Sequence, residues 1–383
     1  MIKYDFIIFG GTGLQGRICG RDLLDSGYSV LFVGRDLSGI RSLLNHRRAG
    51  FLKVDLNESD SIVKAIKRSG VDVVVNCAEL TFNIPIMKAC LITRRSCTDL
   101  GGLQYVTKEQ FRLDTEFQQR DILCVTGCGS TPGILNVMTA HVLEDYELVD
   151  SIDLGFTWNS NKKIFVVPYS MQSIFDEFTQ APVLYQDGRF VKSDRVRCMG
   201  TMRFRAVGKQ TVYCIVHSEV YTFPKYFKKK GLKSVHYYAG FPDHSLRVIQ
   251  TLINLGFHSH ELVSVNGVLI KPIDLTVQIV KKIKPPKGYE EVENLWARIK
   301  GVKNGKKRET EIDCIVRTTK GWEEAGSNVD TGRTIAIMSS MIKEGLVNAT
   351  GVHAPEGVIP HRAFIKELGK RQMYVYVNGS RIN

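Results

Sequence analysis

The first 130 residues alternate short apolar runs with amphipathic stretches of helical length. Phe6-Ile7-Ile8-Phe9, Ser29 to Val33, Phe51 to Val54, Val71 to Val75, Ser96 to Asp99 and Ile122 to Val125 read as six strands. Helices are expected between them, including about Pro85 to Ile92 and one from about Lys108 to Arg120. Continuous apolar runs without polar alternation mark strands buried on both faces, as in a parallel sheet with helices on each side. After residue 130 the pattern changes to period two, as in Ser151 to Trp158, Thr211 to Val216 and Leu262 to Val265. Lys300 to Lys307, with Asn304-Gly305 at its centre, predicts a hairpin returning through Cys314-Ile315-Val316. Helices are expected near Ile174 to Phe178, His244 to Asn254 and Pro272 to Ile283, with a long one from Thr331 to Leu346. The expected fold is α/β. A Rossmann-type parallel sheet (1–130 plus 331–383) carries an inserted α+β domain (131–330) of mostly antiparallel sheet, for substrate and dimer contacts.

The first strand ends in Gly10-Gly11-Thr12-Gly13-Leu14-Gln15-Gly16, and a helical pattern follows. Strand, glycine turn and helix N-terminus form what a dinucleotide pyrophosphate requires: backbone close enough to touch phosphate and free N–H groups aimed at it. Ligands of such sheets lie beyond the carboxyl ends of the strands, which selects Gly10 to Gly16, Arg35, Asp55, Asn76 and Asp99. Strand two ends in Gly34-Arg35-Asp36, where an NAD site usually carries an acid for the ribose 2′-OH. A small residue followed by Arg suits a 2′-phosphate, so NADP is expected, with NAD as the alternative through Asp36. Asp99 is a candidate for holding a substrate ammonium beside the nicotinamide, or for bonding the Gly101-Gly102 turn. Gly127 to Asn136, including Gly129, Pro132 and Gly133, forms a turn whose N–H groups suit a substrate carboxylate or an interdomain hinge. Tyr105 and Glu79 lie near the expected cleft as further acid/base candidates. His217, His236 and His244 fall in the second domain, where structural roles are the ordinary case.

Composition narrows the partners. The 383 residues carry a net charge of +13, and +10 of it lies after residue 130. The basic clusters sit beside Gly or Pro without an aromatic-basic or helix-turn-helix pattern, so nucleic acid is not an expected partner. No apolar run nears the ~20 residues of a membrane span, and no leader pattern precedes strand one, so a cytoplasmic protein is expected. Nine cysteines without a C-x-x-C pair are expected to be buried thiols, and no metal site is expected.

Several segments together resemble the saccharopine dehydrogenase family, on the branch of saccharopine reductases and L-lysine 6-dehydrogenase. They are Gly10 to Gly16, Val73 to Ala78, Thr98-Asp99-Leu100-Gly101-Gly102, Gly127 to Asn136, Pro168 to Gly188, Ser264 to Gly267 with Lys271-Pro272, and Gly351 to Gly357. The resemblance implies hydride transfer between a nicotinamide and the C–N carbon of an amino acid such as lysine or saccharopine. By the same resemblance the phosphate turn is Gly10, Thr12, Gly13, Leu14 and Gln15, and the adenosine ribose meets Arg35. The adenine loop is Asp55-Leu56, and Asn76, Cys77 and Ala78 meet the nicotinamide. Glu79-Leu80-Thr81-Phe82 departs from the family's usual continuation after Ala78, which leaves the substrate open. A carboxyspermidine-type dehydrogenase acting on a polyamine is one alternative, less suited to the positive second region. A non-catalytic NADP sensor of the NmrA-like kind is the other.

Overall fold

The computed structural model describes residues 3–194 and 199–383. The first domain runs β1 (Phe6–Phe9), α1 (Leu14–Asp25), β2 (Val30–Gly34), β3 (Ala49–Lys53), α2 (Ser59–Ser69), β4 (Val73–Asn76), α3 (Asn83–Thr93), β5 (Ser96–Asp99), α4 (Gln104–Phe111), α5 (Asp114–Gln118) and β6 (Leu123–Thr126). The second continues with α6 (Ile134–Leu143), β7 (Leu148–Ser160), α7 (Met171–Thr179), β8 (Val183–Gln186), β9 (Arg189–Lys192), β10 (Gly200–Phe204), β11 (Gly208–Cys214) and α8 (Glu219–Phe227). There follow β12 (Ser234–Gly240), α9 (Asp243–Asn254), β13 (Val263–Val265), β14 (Val268–Ile270), α10 (Pro272–Val280), β15 (Glu291–Lys303) and β16 (Lys306–Arg317). The chain closes with α11 (Val329–Lys343), β17 (Gly351–His353), α12 (Pro355–Val358), α13 (His361–Lys370), β18 (Tyr374–Val377) and β19 (Ser380–Arg381).

The first sheet has the order β17-β6-β5-β4-β1-β2-β3 and is parallel throughout. Successive side chains of β1 enter different cores, as strand geometry requires. Phe6 and Ile8 join the cluster shared with α1, α6 and α11, while Ile7 and Phe9 join that of α2 and α3. Every residue of β1 is fully buried, which explains its unbroken apolar run. The strand order reverses between β1 and β4, so a crevice opens above their carboxyl ends, at the glycine turn.

The second sheet is mixed, ordered β10-β11-β12-β7-β15-β16-β18-β19, with β8 and β9 beside β12. Its long hairpin β15–β16 turns at Asn304 and Gly305, both in the left-handed region as a type I′ turn requires. One pair, β12 with β7, is parallel. The C-terminal segment divides between the sheets: α11 packs on α1 and β17 extends the first sheet, whereas β18 and β19 extend the second. The single helix expected over 108–120 is two, α4 and α5. Their break at Arg112-Leu113 separates Gln110, turned in to Asp99, from Phe117, buried in the sheet core. Seven cysteines are free thiols. Cys214, expected as a thiol, is disulfide-bonded, and Cys198 lies outside the described residues. No described helix is long and apolar enough to cross a membrane.

Candidate active site

The glycine turn has the geometry that a pyrophosphate needs. Gly10 has φ +69°, and a Cβ there would lie 2.6 Å from the Ala78 nitrogen, so β1 and β4 end in direct backbone contact. A Cβ at Gly16 would lie 2.3 Å from the Gly10 carbonyl oxygen, which holds α1 close over the turn. Gly13 caps α1 without a side-chain hydrogen bond. The first N–H groups of the helix therefore point outward without an internal acceptor, next to the positive end of its dipole.

At the end of β2, Gly34 faces Thr12: a Cβ on Gly34 would lie 2.4 Å from Thr12 Oγ1. Arg35 is exposed and makes no hydrogen bond or ion pair with a described residue. Asp36 instead turns to Ser38, accepting from its backbone N–H at 3.0 Å and from its hydroxyl. These bonds hold the Asp36 carboxyl below its usual range. The guanidinium is thus the available group, and the carboxylate is occupied by its own turn. Asp55 accepts from Asn57 N–H at 3.0 Å and is exposed beside half-buried Leu56.

Below the crevice, Asn76 Oδ1 accepts from Ala78 N–H at 3.0 Å, and its amide donates to Asn83 at 2.8 Å. Cys77 and Ala78 are half-buried there, while Glu79 is exposed. Asp99 lies inside the domain. It accepts from Gly101 N–H at 2.7 Å, Thr126 Oγ1 at 2.9 Å and Gln110 Nε2 at 2.6 Å. Burial raises its pKa to about 6 despite those donors. These contacts are those of a turn anchor between Gly101-Gly102 and Gly127. Tyr105 is 53% exposed at the start of α4, and partial burial with the charge of Asp176 on α7 raises its hydroxyl pKa. The Gly127–Asn136 turn contains a cis Thr131-Pro132 peptide. Gly133, at φ +139°, packs so closely on Gly129 that a Cβ would lie 1.8 Å from its carbonyl oxygen. Gly129 donates to the Pro132 carbonyl at 2.7 Å, so the turn is closed on itself at the rim of the cleft.

The second domain supplies the other wall, connected to the glycine turn by hydrogen bonds. Gln15 donates to Asn328 at 3.0 Å, and Asn328 donates to the Pro168 carbonyl at 2.7 Å. Thr331 Oγ1 lies 3.1 Å from Ser130 Oγ. The neighbouring Thr131 hydroxyl bonds Tyr237 OH. The His217 ring stacks on Tyr237 at 3.9 Å and 7°, and its Nδ1 faces Glu219 Oε2. Tyr169 OH donates to Glu177, whose charge also acts on His217. Behind Thr331, Asp330 lies against Glu293. Glu356, beside Asn136 at 2.8 Å, completes five carboxyls around this wall.

Their electrostatics are unusual. Burial raises Glu177, Asp330 and Glu356 to about 7. Burial and the facing Asp330 push Glu293 well above the carboxylate range, as expected for two carboxyls sharing a proton. Burial pushes the His217 imidazolium down, but Glu219 and Glu177 outweigh it and leave the pKa raised. None of Glu219, Glu293, Asp330 and Glu356 forms an ion pair with a described Lys or Arg, and the Oε1 of Glu219 is buried without a hydrogen bond from a described donor. Such groups are costly unless a proton or a cation meets them. Sequence reading missed this cluster. Of its members only His217 was singled out from the sequence; the signal for the rest was Glu219 two residues after it, beyond the end of β11. The other two histidines differ: His236 bonds Asp153 at 2.9 Å on the neighbouring strand, and His244 lies at the start of α9.

Comparison with known proteins agrees with this fold. The saccharopine dehydrogenase NADP binding domain matches residues 6–125, and the saccharopine dehydrogenase C-terminal domain matches residues 129–373. The chain is 22% identical to carboxyaminopropylagmatine dehydrogenase of Synechocystis, over 99% of this chain and 98% of that protein. It is 24% identical to carboxynorspermidine synthase of Vibrio cholerae, over 67% of this chain and 64% of that protein. Saccharopine dehydrogenase (L-Glu forming) of Saccharomyces cerevisiae has the same fold, with TM-score 0.76, 12% identity and coverage of 99% and 100%. Homospermidine synthase of Legionella pneumophila, solved with NAD, follows at TM-score 0.69, 12% identity and coverage of 99% and 92%. With both family domains matched in order, the chain belongs to the saccharopine dehydrogenase family and is an NADP-binding oxidoreductase of that family.

Proposed function

We propose that the protein couples an amine of a polyamine to a carboxyl-bearing aldehyde and reduces the resulting imine to a secondary amine. The observation that carries this reading is the wall of buried and half-buried carboxyls, Glu219, Glu293, Asp330 and Glu356, reached from the glycine turn through Gln15, Asn328 and Ser130. A polycation offers these four carboxyls ammonium groups where no described Lys or Arg meets them, whereas a single amino acid offers one side-chain ammonium. The positive net charge of the second region sits elsewhere, so overall charge misrepresents the cleft. The aldehyde and amine lose water to form the imine, and the imine carbon then accepts hydride while its nitrogen keeps a proton. Bound NADPH supplies that hydride.

This chain's own residues hold the amine and handle protons. Glu219 and the Glu293–Asp330 pair bind cationic nitrogens. His217 is fixed within the wall by Glu219 at Nδ1 and by stacking on Tyr237. There it can take the proton released as the amine attacks and return it to the departing hydroxyl. The relatives named for carboxylated polyamines support this substrate class. Steady-state NADPH oxidation with spermidine-class amines, lysine and saccharopine, each with carboxyl-bearing aldehydes, tests it. The expected result is the highest kcat/KM with a polyamine, and an amine KM raised roughly tenfold or more in Glu219→Gln by loss of a charge-assisted contact. Turnover of lysine or saccharopine with none of any polyamine would overturn it.

A further inference from the structure

Away from the cleft, three side chains with metal-binding chemistry meet at the far end of α6. His141 and Glu144 are three residues apart and so share one face of the helix end. His361 opens α13 directly after Pro360. One ligand atom from each lies within 4.8 Å of the other two. The Glu144 carboxylate lies between the rings, with Oε1 2.9 Å from His361 Nδ1 and Oε2 3.7 Å from His141 Nδ1. The rings stand 6.5 Å apart at 69°, edge to face.

A histidine–glutamate hydrogen bond accounts for His361 but leaves His141 over. Its Nδ1 is buried and has no hydrogen-bond partner among the described residues. A zinc ion with ligands at 2.0–2.2 Å needs donor atoms about 3.3 Å apart in a tetrahedron, between the two separations seen here. Two imidazoles and one carboxylate select borderline transition ions over Mg²⁺ or Ca²⁺, which prefer oxygen. Glu144 is about half-exposed, so a water can fill the fourth position. Arg362, whose charge also reaches His141, opposes a cation there but forms no ion pair with any of the three.

We propose that His141, Glu144 and His361 form a site for a divalent transition ion of the zinc class, clasping the end of α6 to the start of α13. The test uses the full chain stripped of metal by a chelator, titrated with Zn²⁺ by calorimetry and with Co²⁺ by visible absorption. The expected result is one ion per chain, with nitrogen–oxygen ligand-field bands and no thiolate charge-transfer band. Zn²⁺ should also raise the Tm. His141→Ala/His361→Ala should lose that ion and the Tm rise, and Glu144→Gln should weaken binding roughly tenfold. NADPH fluorescence titration reports that each variant still folds, and His361→Gln provides a milder replacement if the double variant does not. Absence of binding by the unaltered protein, or equal binding by a folded histidine variant, overturns the proposal. A thiolate band retained in such a variant would assign the ion to the cysteines.

Discussion

At the scale of single residues, the proposed chemistry depends most on two side chains. Arg35 is available at the end of β2 while Asp36 is tied to Ser38, so the guanidinium is the group placed to meet a 2′-phosphate. Arg35→Asp should raise the KM for NADPH by roughly 10–100-fold, the worth of a charge-assisted contact, and lower that for NADH. An unchanged ratio of kcat/KM for the two cofactors would show that Arg35 does not read the phosphate. His217 is the group best placed for proton transfer, held by Glu219 and Tyr237. His217→Gln should lower kcat by roughly 10²-fold and remove the ascending or descending limb of the pH–rate profile that His217 contributes. A variant with both limbs intact would reduce His217 to a structural histidine.

At the scale of elements, α1 connects the cofactor turn and the C-terminal segment. Its buried Asp22 receives Arg333 of α11 at 2.8 Å and Arg371, beyond α13, at 2.8 Å. Removing one partner of such a pair leaves buried charge unmet, so Asp22→Ala should lower unfolding stability by about 3–5 kcal/mol. Denaturant unfolding measures this; a loss under about 1 kcal/mol would show that the pair is solvated. Much at this scale was legible in the sequence. Buried β-branched runs marked the parallel strands, Gly10 to Gly16 marked the phosphate turn, and Asn304-Gly305 marked the long hairpin, because each signal is local. The acid wall was not legible. Glu177, Glu219, Glu293, Asp330 and Glu356 come from separate elements, and only the packing of α7, α8, β15, α11 and α12 around Tyr237 brings them together. Asp99 was legible in part: the Gly101-Gly102 turn bond expected as one of its two roles is present, while its partners Gln110 and Thr126, distant in sequence, were not.

At the scale of the whole molecule, the buried carboxyls couple stability to protonation. Glu177, Asp330 and Glu356 sit near 7 in the folded chain and near 4 when unfolded. A carboxyl raised by folding contributes stability below its unfolded pKa and loses it as pH climbs through the folded value. The Tm without ligand should therefore fall from pH 5.5 to pH 8, and Asp330→Asn should flatten that fall. A Tm rising over this window would show that these carboxyls are not the dominant titrating groups. A polyamine should oppose the loss, stabilising the protein more at pH 8 than at pH 5.5, because the wall is then anionic. The central claim is that hydride reaches the imine carbon joining a polyamine to an aldehyde. The most direct measurement is the mass spectrum of the product formed from NADPH deuterated at the transferring position, a spermidine-class amine and a carboxyl-bearing aldehyde. The account predicts a secondary amine with one deuterium on the former aldehyde carbon. Deuterium found only in an alcohol, or in no product from any polyamine, would contradict it.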